Sequence, residues 1–176
     1  MLNYSRSIVV AALSASCVVL GCRNPSPAPM AVALPSDGIA PSELNNPDYL
    51  DVAEAVFRYQ FDHNASGRQR NADYFFLTLA EGDPPQELLE RFATEKPPVL
   101  PKSLSIYSHR EGHKHWELEG RGLGFRISSI KWLDANTAEV KGGYLEGGTS
   151  ASGNVYRVER RDGKWSVTND DTIWIA

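Results

Sequence analysis

Apolar residues are distributed along the chain in successive regimes. Ile8 to Leu20 is apolar but for Ser14 and Ser16, whereas residues 23 to 47 follow neither a helical nor a strand period and carry Pro25, Pro27, Pro29, Pro35, Pro41 and Pro47. A stretch of that kind cannot bury enough apolar surface to offset its ordering entropy, which predicts an extended tether. Leu50, Ala53, Val56, Phe57 and Phe61 then recur at intervals of three and four, behind Asn46 as N-cap and Pro47 at the first helical position. The spacing predicts a helix over 47–63, ended by Asn64-Ala65-Ser66-Gly67.

Asp73 to Ala80 is a short aromatic and β-branched run suited to a buried strand. Asp83-Pro84-Pro85-Gln86 reads as a cap, a proline and an N3 glutamine, opening a second helix that carries Leu88, Leu89 and Phe92 to about Thr94; Pro97, Pro98 and Pro101 stop it. Beyond Pro101 the period changes to two. Strands are expected over Ser103–Ser108, Leu123–Leu133, Thr137–Leu145, Val155–Arg160 and Lys164–Thr168, the last extending as far as Trp174-Ile175 if the alternation continues. Phe125 and Ile127 share one face of the long strand and Ile130 and Trp132 the other, so a bulge near Ser128-Ser129 is needed for all of them to point inward. Gly142-Gly143 marks a sharp bend and Asp162-Gly163 a hairpin. The expected fold is α+β, a bent antiparallel meander with two helices supplied from its N-terminal side, forming one domain over 47–176.

The leading apolar run, behind a weak basic n-region at Arg6, has the form of a signal-peptide h-region. A helix rising about 1.5 Å per residue needs about 20 apolar residues to cross the ~30 Å hydrocarbon layer, and this run stops short of that. It ends in Val19-Leu20-Gly21-Cys22, which resembles the bacterial lipobox. The resemblance implies a signal peptide over 1–21, a lipidated Cys22 and a linker to residue 46. Each buried acyl methylene contributes about 0.8 kcal/mol, so more than one chain on Cys22 would hold the protein at a membrane stably. Arg23, where enterobacterial sorting reads Asp for inner-membrane retention, implies the outer membrane and a domain facing the periplasm. The alternative is ordinary secretion with cleavage near Ser16 or Gly21, leaving Cys22 as a stray thiol. Cys17 lies inside the h-region behind a serine and is the poorer acceptor; once it is removed and Cys22 acylated, no disulfide remains to be formed.

The order helix, short strand, second helix and long bent strands is similar to the NTF2-like (cystatin-like, SnoaL-like) α+β cone. From Tyr49 to Ile175 the chain also resembles a group of small uncharacterised bacterial exported proteins, through Phe57-Arg58-Tyr59-Gln60, Ile130-Lys131-Trp132, Gly142-Gly143-Tyr144, Ser150-Ala151-Ser152-Gly153-Asn154 and Asp162-Gly163-Lys164-Trp165. The resemblance implies N-terminal helices packed on a bent antiparallel sheet of four to six strands. It brings no activity with it, because the superfamily includes isomerases, dehydratases and non-catalytic accessory modules.

Composition narrows the function classes. The chain has 176 residues, 41% of them hydrophobic, and a formal charge of −4 with no basic block, so the counterion release that drives nucleic-acid binding has no source. His109, His113 and His115 cluster with Arg110 and Lys114 in a glycine-containing polar segment, read as a solvated loop, not a metal site, because cationic neighbours disfavour a second cation. An acid–base enzyme would need a carboxylate or imidazole in a cavity, beside an orienting group. His63, Asp73, Tyr144 and Asp171 are the candidates, yet His63 and Asp73 also suit caps, Tyr144 suits the core, and Asp170-Asp171 suits a turn. Trp116, Trp132, Trp165 and Trp174 suit either a ligand cavity or plain core. No nucleophile elbow, Walker loop, dinucleotide fingerprint or zinc pattern occurs, and the alternating Gly120, Gly122 and Gly124 lack the strand-to-helix context of a phosphate-binding turn.

The sequence therefore points to a membrane-anchored lipoprotein with a non-enzymatic binding or accessory domain, without cofactor or metal, recognising an envelope protein or a small ligand. The alternative is a small isomerase- or hydrolase-type enzyme with an acid/base residue in its cavity. A filled interior would favour the first, and an open pocket holding a buried His or Asp of shifted pKa the second. Cys22→Ala is expected to abolish acyl labelling and release the protein from membranes; labelling and high-salt fractionation that match the wild type would exclude the lipobox assignment.

Overall fold

The computed structural model describes residues 47–63, 71–108, 110, 112–115, 120–147 and 150–176, all within the contact unit Pro35–Ala176. The expected signal peptide, Cys22, the linker, the Asn46 cap, the Asn64–Gly67 stop, His109 and Trp116 lie outside the described residues. Helix α1 spans Pro47–His63, as its apolar spacing predicts, and buries Tyr49, Leu50, Val52, Ala53, Val56, Phe57, Gln60 and Phe61 along one side. Strand β1 (Tyr74–Leu79) is followed by the short helix α2 (Gln86–Glu90), then β2 (Val99–Pro101) and a single 3₁₀ turn at Lys102–Leu104. Strands β3 (Ser105–Ser108), β4 (Gly112–His115), β5 (Arg121–Asp134), β6 (Thr137–Gly147), β7 (Ser150–Arg161) and β8 (Lys164–Ile175) complete the order.

The α+β cone expected from the sequence is not what forms. The described residues are mostly sheet, 58% strand, with a mixed sheet of eight strands, one 17-residue helix and one 5-residue helix. The main sheet runs β2-β1-β5-β6-β7-β8, with β3 and β4 branching from β5 through β4. Two departures produce this. First, β1 pairs in parallel with both β2 and β5, so the sheet is not an antiparallel meander. A parallel pair needs a crossover, which α2 and the proline segment supply, and β1 is accordingly buried nearly throughout. Pro101 sits on the outermost strand, where its missing N–H costs no ladder bond. Second, α2 is only a stub: Asp83 does not cap it but accepts from the Ser103 amide at 2.9 Å, and Phe92 and Ala93 continue with three-residue spacing to Leu89 and Glu90. Among the described residues a single long helix, α1, therefore covers the sheet, against one face.

That face holds the core. Phe75, Leu77 and Leu79 of β1, Leu123, Phe125, Ile127 and Ile130 of β5, Ala138 and Val140 of β6, Tyr156 and Val158 of β7 and Trp165 of β8 pack under α1. The expected bulge is present: the β5–β6 register slips between Ile127 and Ser129, which turns Ile130 and Trp132 to the same side as Phe125 and Ile127. Asp162 and Gly163 both take positive φ, 53° and 76°, and close β7 onto β8 as a two-residue primed turn. β8 then continues unbroken to Ile175, so Asp170 and Asp171 lie in a strand and not in a turn.

Helix and sheet meet at Gly142. A Cβ there would stand 2.5 Å from the Arg126 carbonyl oxygen and 3.0 Å from Gln60 Nε2, and one on Gly143 would collide with the Ser152 carbonyl. The requirement is close approach, since neither glycine has a positive φ. Gln60, fully buried, donates from Nε2 to the Arg126 carbonyl at 3.3 Å and to the Tyr156 hydroxyl at 3.2 Å across this gap. Replacing Gly142 and Gly143 together by Val is expected to destabilise the fold by roughly 2 kcal/mol or more through overpacking, despite valine's strand propensity. Gly82→Ala, where a Cβ meets nothing within 4 Å, serves as control and should change stability by less than about 0.5 kcal/mol in urea denaturation.

Candidate functional site

The face of the sheet away from α1 carries a cleft of about 620 Å³. Its floor follows from side-chain alternation: Gly124 and Arg126 of β5, Lys141, Gly143 and Leu145 of β6, and Ala151 and Gly153 of β7 point away from the helix. Register sets Arg126, Gly143, Gly153 and Trp174 in one row across β5, β6, β7 and β8. The middle positions of that row carry no side chains; the Trp174 indole covers Gly153, the Ser152 carbonyl stands over Gly143, and the Arg126 guanidinium belongs to the other end.

Rings pack closely against the glycines of this face. A Cβ on Gly122 would run into the Phe76 ring and one on Gly153 into the Trp174 indole, while one on Gly124 would stand 2.5 Å from His113 Nε2. The alternation of Gly120, Gly122 and Gly124 thus belongs to strand packing: the last two share a face of β5 and seat the rings of Phe76 and His113, whose centroids are 5.9 Å apart. Trp174 remains 51% exposed at the cleft mouth, and Ile173 and Tyr107 stand beside it and opposite it as further exposed apolar lining.

His113 is the buried titratable group of the site. The segment expected to be a solvated loop is instead strand β4, paired with both β3 and β5, and His113 is only 6% exposed. Its burial follows from pairing with Gly122, beside Gly124, where the imidazole finds room. Ser105 Oγ donates to the Lys102 carbonyl at 2.8 Å and lies 3.0 Å from His113 Nδ1, which makes Nδ1 the donor and leaves the Nε2 lone pair toward the Gly124 floor. Burial, helped by the Lys102 charge, lowers the His113 pKa to about 4, so the ring is neutral near pH 7.

Charge on the cleft is positive. Among the described residues, Lys102, Arg126 and Lys141 line it against one carboxylate, Glu81, which is paired with Arg126. His113 and Lys102 come from the β4 and 3₁₀ segments, and Arg126 and Lys141 from β5 and β6 on either side of the bulge, where Ser128 Oγ donates to the Lys141 carbonyl at 3.1 Å.

The catalytic candidates of the sequence are not brought together. His63 stacks on Tyr59 with centroids 4.0 Å apart, its Nδ1 3.0 Å from the Tyr59 carbonyl, at the exposed end of α1. Burial and the charge of Asp170 raise the Tyr59 pKa there. Asp73 accepts from the Arg121 amide at 2.9 Å while its own amide donates back at 2.7 Å, a clamp between the starts of β1 and β5. Asp171 accepts from Asn169 at 2.8 Å on exposed β8. Only Tyr144 lines the cleft, and it also packs against the core. Trp132 and Trp165 are packed together at 5.5 Å in or beside the core, leaving Trp174 as the described tryptophan of the cleft. His115 lies 5.5 Å from the Tyr74 ring. Among the described residues no group of three or more His, Cys, Asp or Glu side chains could hold a metal ion.

Lys102, Arg126, Lys141 and the buried state of His113 were not legible as site features in the sequence. The signal that could have found them is the alternate glycines: in a strand, glycines two apart leave one face bare, and bare sheet invites rings or ligand. No protein-family model, curated protein or solved structure matches the chain.

The lowered His113 pKa has a consequence for stability. Between its ordinary value of 6.5 and the folded value of about 4 the unfolded chain binds more protons, so this contribution is complete above 6.5 and lost as pH falls through 4. Wild type is expected to lose about 3 kcal/mol more than His113→Gln over that window, measured by urea denaturation at a series of pH values. Parallel curves for the two proteins would mean the imidazole is solvated.

Proposed function

We propose that the protein is a lipid-anchored, non-enzymatic binding module of the bacterial envelope, attached through Cys22, facing the periplasm from the outer membrane, with a small ligand in the cleft. The observation that carries this reading is the cleft itself. A 620 Å³ depression with apolar lips and a few placed polar groups is the usual form of a small-molecule site, whereas a protein partner needs a broad, flatter surface. The address rests on the h-region, Val19-Leu20-Gly21-Cys22 and Arg23, together with the likeness to small exported bacterial proteins. The proline-rich stretch after Cys22 gives the folded domain reach from the bilayer.

A second reading is favoured by one observation, the buried imidazole held by Ser105 in a single tautomer with Nε2 toward Gly124 of the cleft. In that reading His113 is the general base of an isomerase or hydrolase. Binding is preferred because an imidazole with a pKa of about 4 is a poor proton acceptor at neutral pH, and the one lining carboxylate is engaged by Arg126.

Thermal-shift screening of the full-length chain against small metabolites tests the assignment. A cleft ligand should raise the midpoint of the wild type by several degrees, as mass action requires at saturating ligand, and leave Ser128→Trp unshifted because the added indole fills the cleft. Binding retained but turnover lost in His113→Asn would transfer the protein to the enzymatic reading. Equal shifts in wild type and Ser128→Trp would place the ligand elsewhere.

A further inference from the structure

We propose that the ligand of this cleft is an anion carried on a planar ring, an aromatic or other flat cyclic carboxylate, phosphate or sulfonate. The inference rests on the cleft being a ligand site and specifies what that site selects.

Charge comes first. The chain as a whole is acidic, at −4, yet among the described residues the cleft gathers Lys102, Arg126 and Lys141 with one carboxylate, Glu81, which Arg126 engages. The Lys102 ammonium has no ion-pair partner among the described residues, and His113 contributes no charge near pH 7. An anion entering here would meet positive potential in a concave, partly apolar site, where the field is less screened than on open surface. A cation would meet repulsion.

Shape comes second. Arg126 and Trp174 stand at the two ends of one row in which the positions between them, Gly143 and Gly153, carry no side chain. Strand spacing puts the Trp174 row and the His113 seat on Gly124 about 12 Å apart across β5 to β7, room for one ring system between indole and imidazole. Trp174 is half exposed and already packed against Gly153, so a ligand ring gains a stacking or edge contact without any reordering of the indole.

Isothermal titration of the full-length chain in detergent micelles, with a micelle blank, compares naphthoate with naphthamide, two probes of the same ring and size that differ in charge. Naphthoate should bind at least about tenfold more tightly, the ratio one charge-assisted hydrogen bond supplies, and the ratio should shrink as salt is raised. In Lys102→Ala/Lys141→Ala the preference should collapse while the naphthamide affinity stays, and Trp174→Ala should weaken both probes. Equal affinities in the wild type, or a preference indifferent to salt, would overturn the anion assignment and leave the ligand-binding reading standing. Failure of naphthoate to bind at millimolar concentration would also overturn the planar-anion assignment, and the Ser128→Trp comparison would then decide the ligand-binding reading. Circular dichroism shows whether the double variant is folded; if it is not, the salt dependence of the wild type decides alone.

Discussion

The structure depends on contacts that exist only because particular strand positions have no side chain. Gly142 lets the Arg126 carbonyl and the Gln60 amide approach on the helix side, and Gly122, Gly124 and Gly153 seat Phe76, His113 and Trp174 on the other. Glycine weakens a strand interior by roughly 0.5–1 kcal/mol relative to alanine. Burial of a Phe ring contributes about 1.5–3 kcal/mol, and Phe76 is fully buried on its glycine, so the exchange favours the fold at that position. At Gly153 the indole stays half exposed, and the same exchange leaves a ring at a cleft mouth. One device therefore serves stability at one end of the face and a binding surface at the other.

Coverage of the sheet is asymmetric, and the site follows from that. On the covered face α1 is held by apolar packing and oriented by polar contacts: Phe57 and Phe61 meet Phe92 at 6.4 and 5.6 Å, and Gln60 satisfies both amide protons in the interior. Arg91 reaches Asp51, Glu54 and Glu87, and Arg58 reaches Glu54 and Glu95. Such part-exposed pairs are worth about 0–1 kcal/mol each, less than a single buried phenylalanine, so they align the α2 segment on α1 without holding it there. The opposite face has no helix among the described residues. Its strands β3 and β4 curl over part of it and bring His113, Ser105 and Lys102 to the edge of the cleft.

Local signals in the chain were sufficient where they act over a few residues. The three- and four-residue spacing from Leu50 to Phe61 determined α1, the parity change between Ile127 and Ile130 determined the bulge, and Asp162-Gly163 determined the last hairpin, because each is a steric consequence of its own segment. The proline-punctuated Val99-Leu100-Pro101 and the polar Gly112-His113-Lys114-His115 carry no such signal. They become strands by pairing with β1, β3 and β5, and no periodicity within four residues distinguishes that from a loop.

The candidate site divides along the same line. Sequence alone determined which residue types were available, including the paired and alternating glycines, the exposed-or-core ambiguity of Trp174, and the acidic total against which a positive patch stands out. Only the tertiary structure decided that Gly124 would lie under His113 and Gly153 under Trp174, that His113 would be dry and neutral, and that Arg126 would share a row with Trp174 through Gly143. The reason is physical: burial and pKa are set by neighbours on other strands, and register between strands far apart in the chain is fixed by long-range pairing that leaves no trace in any single segment.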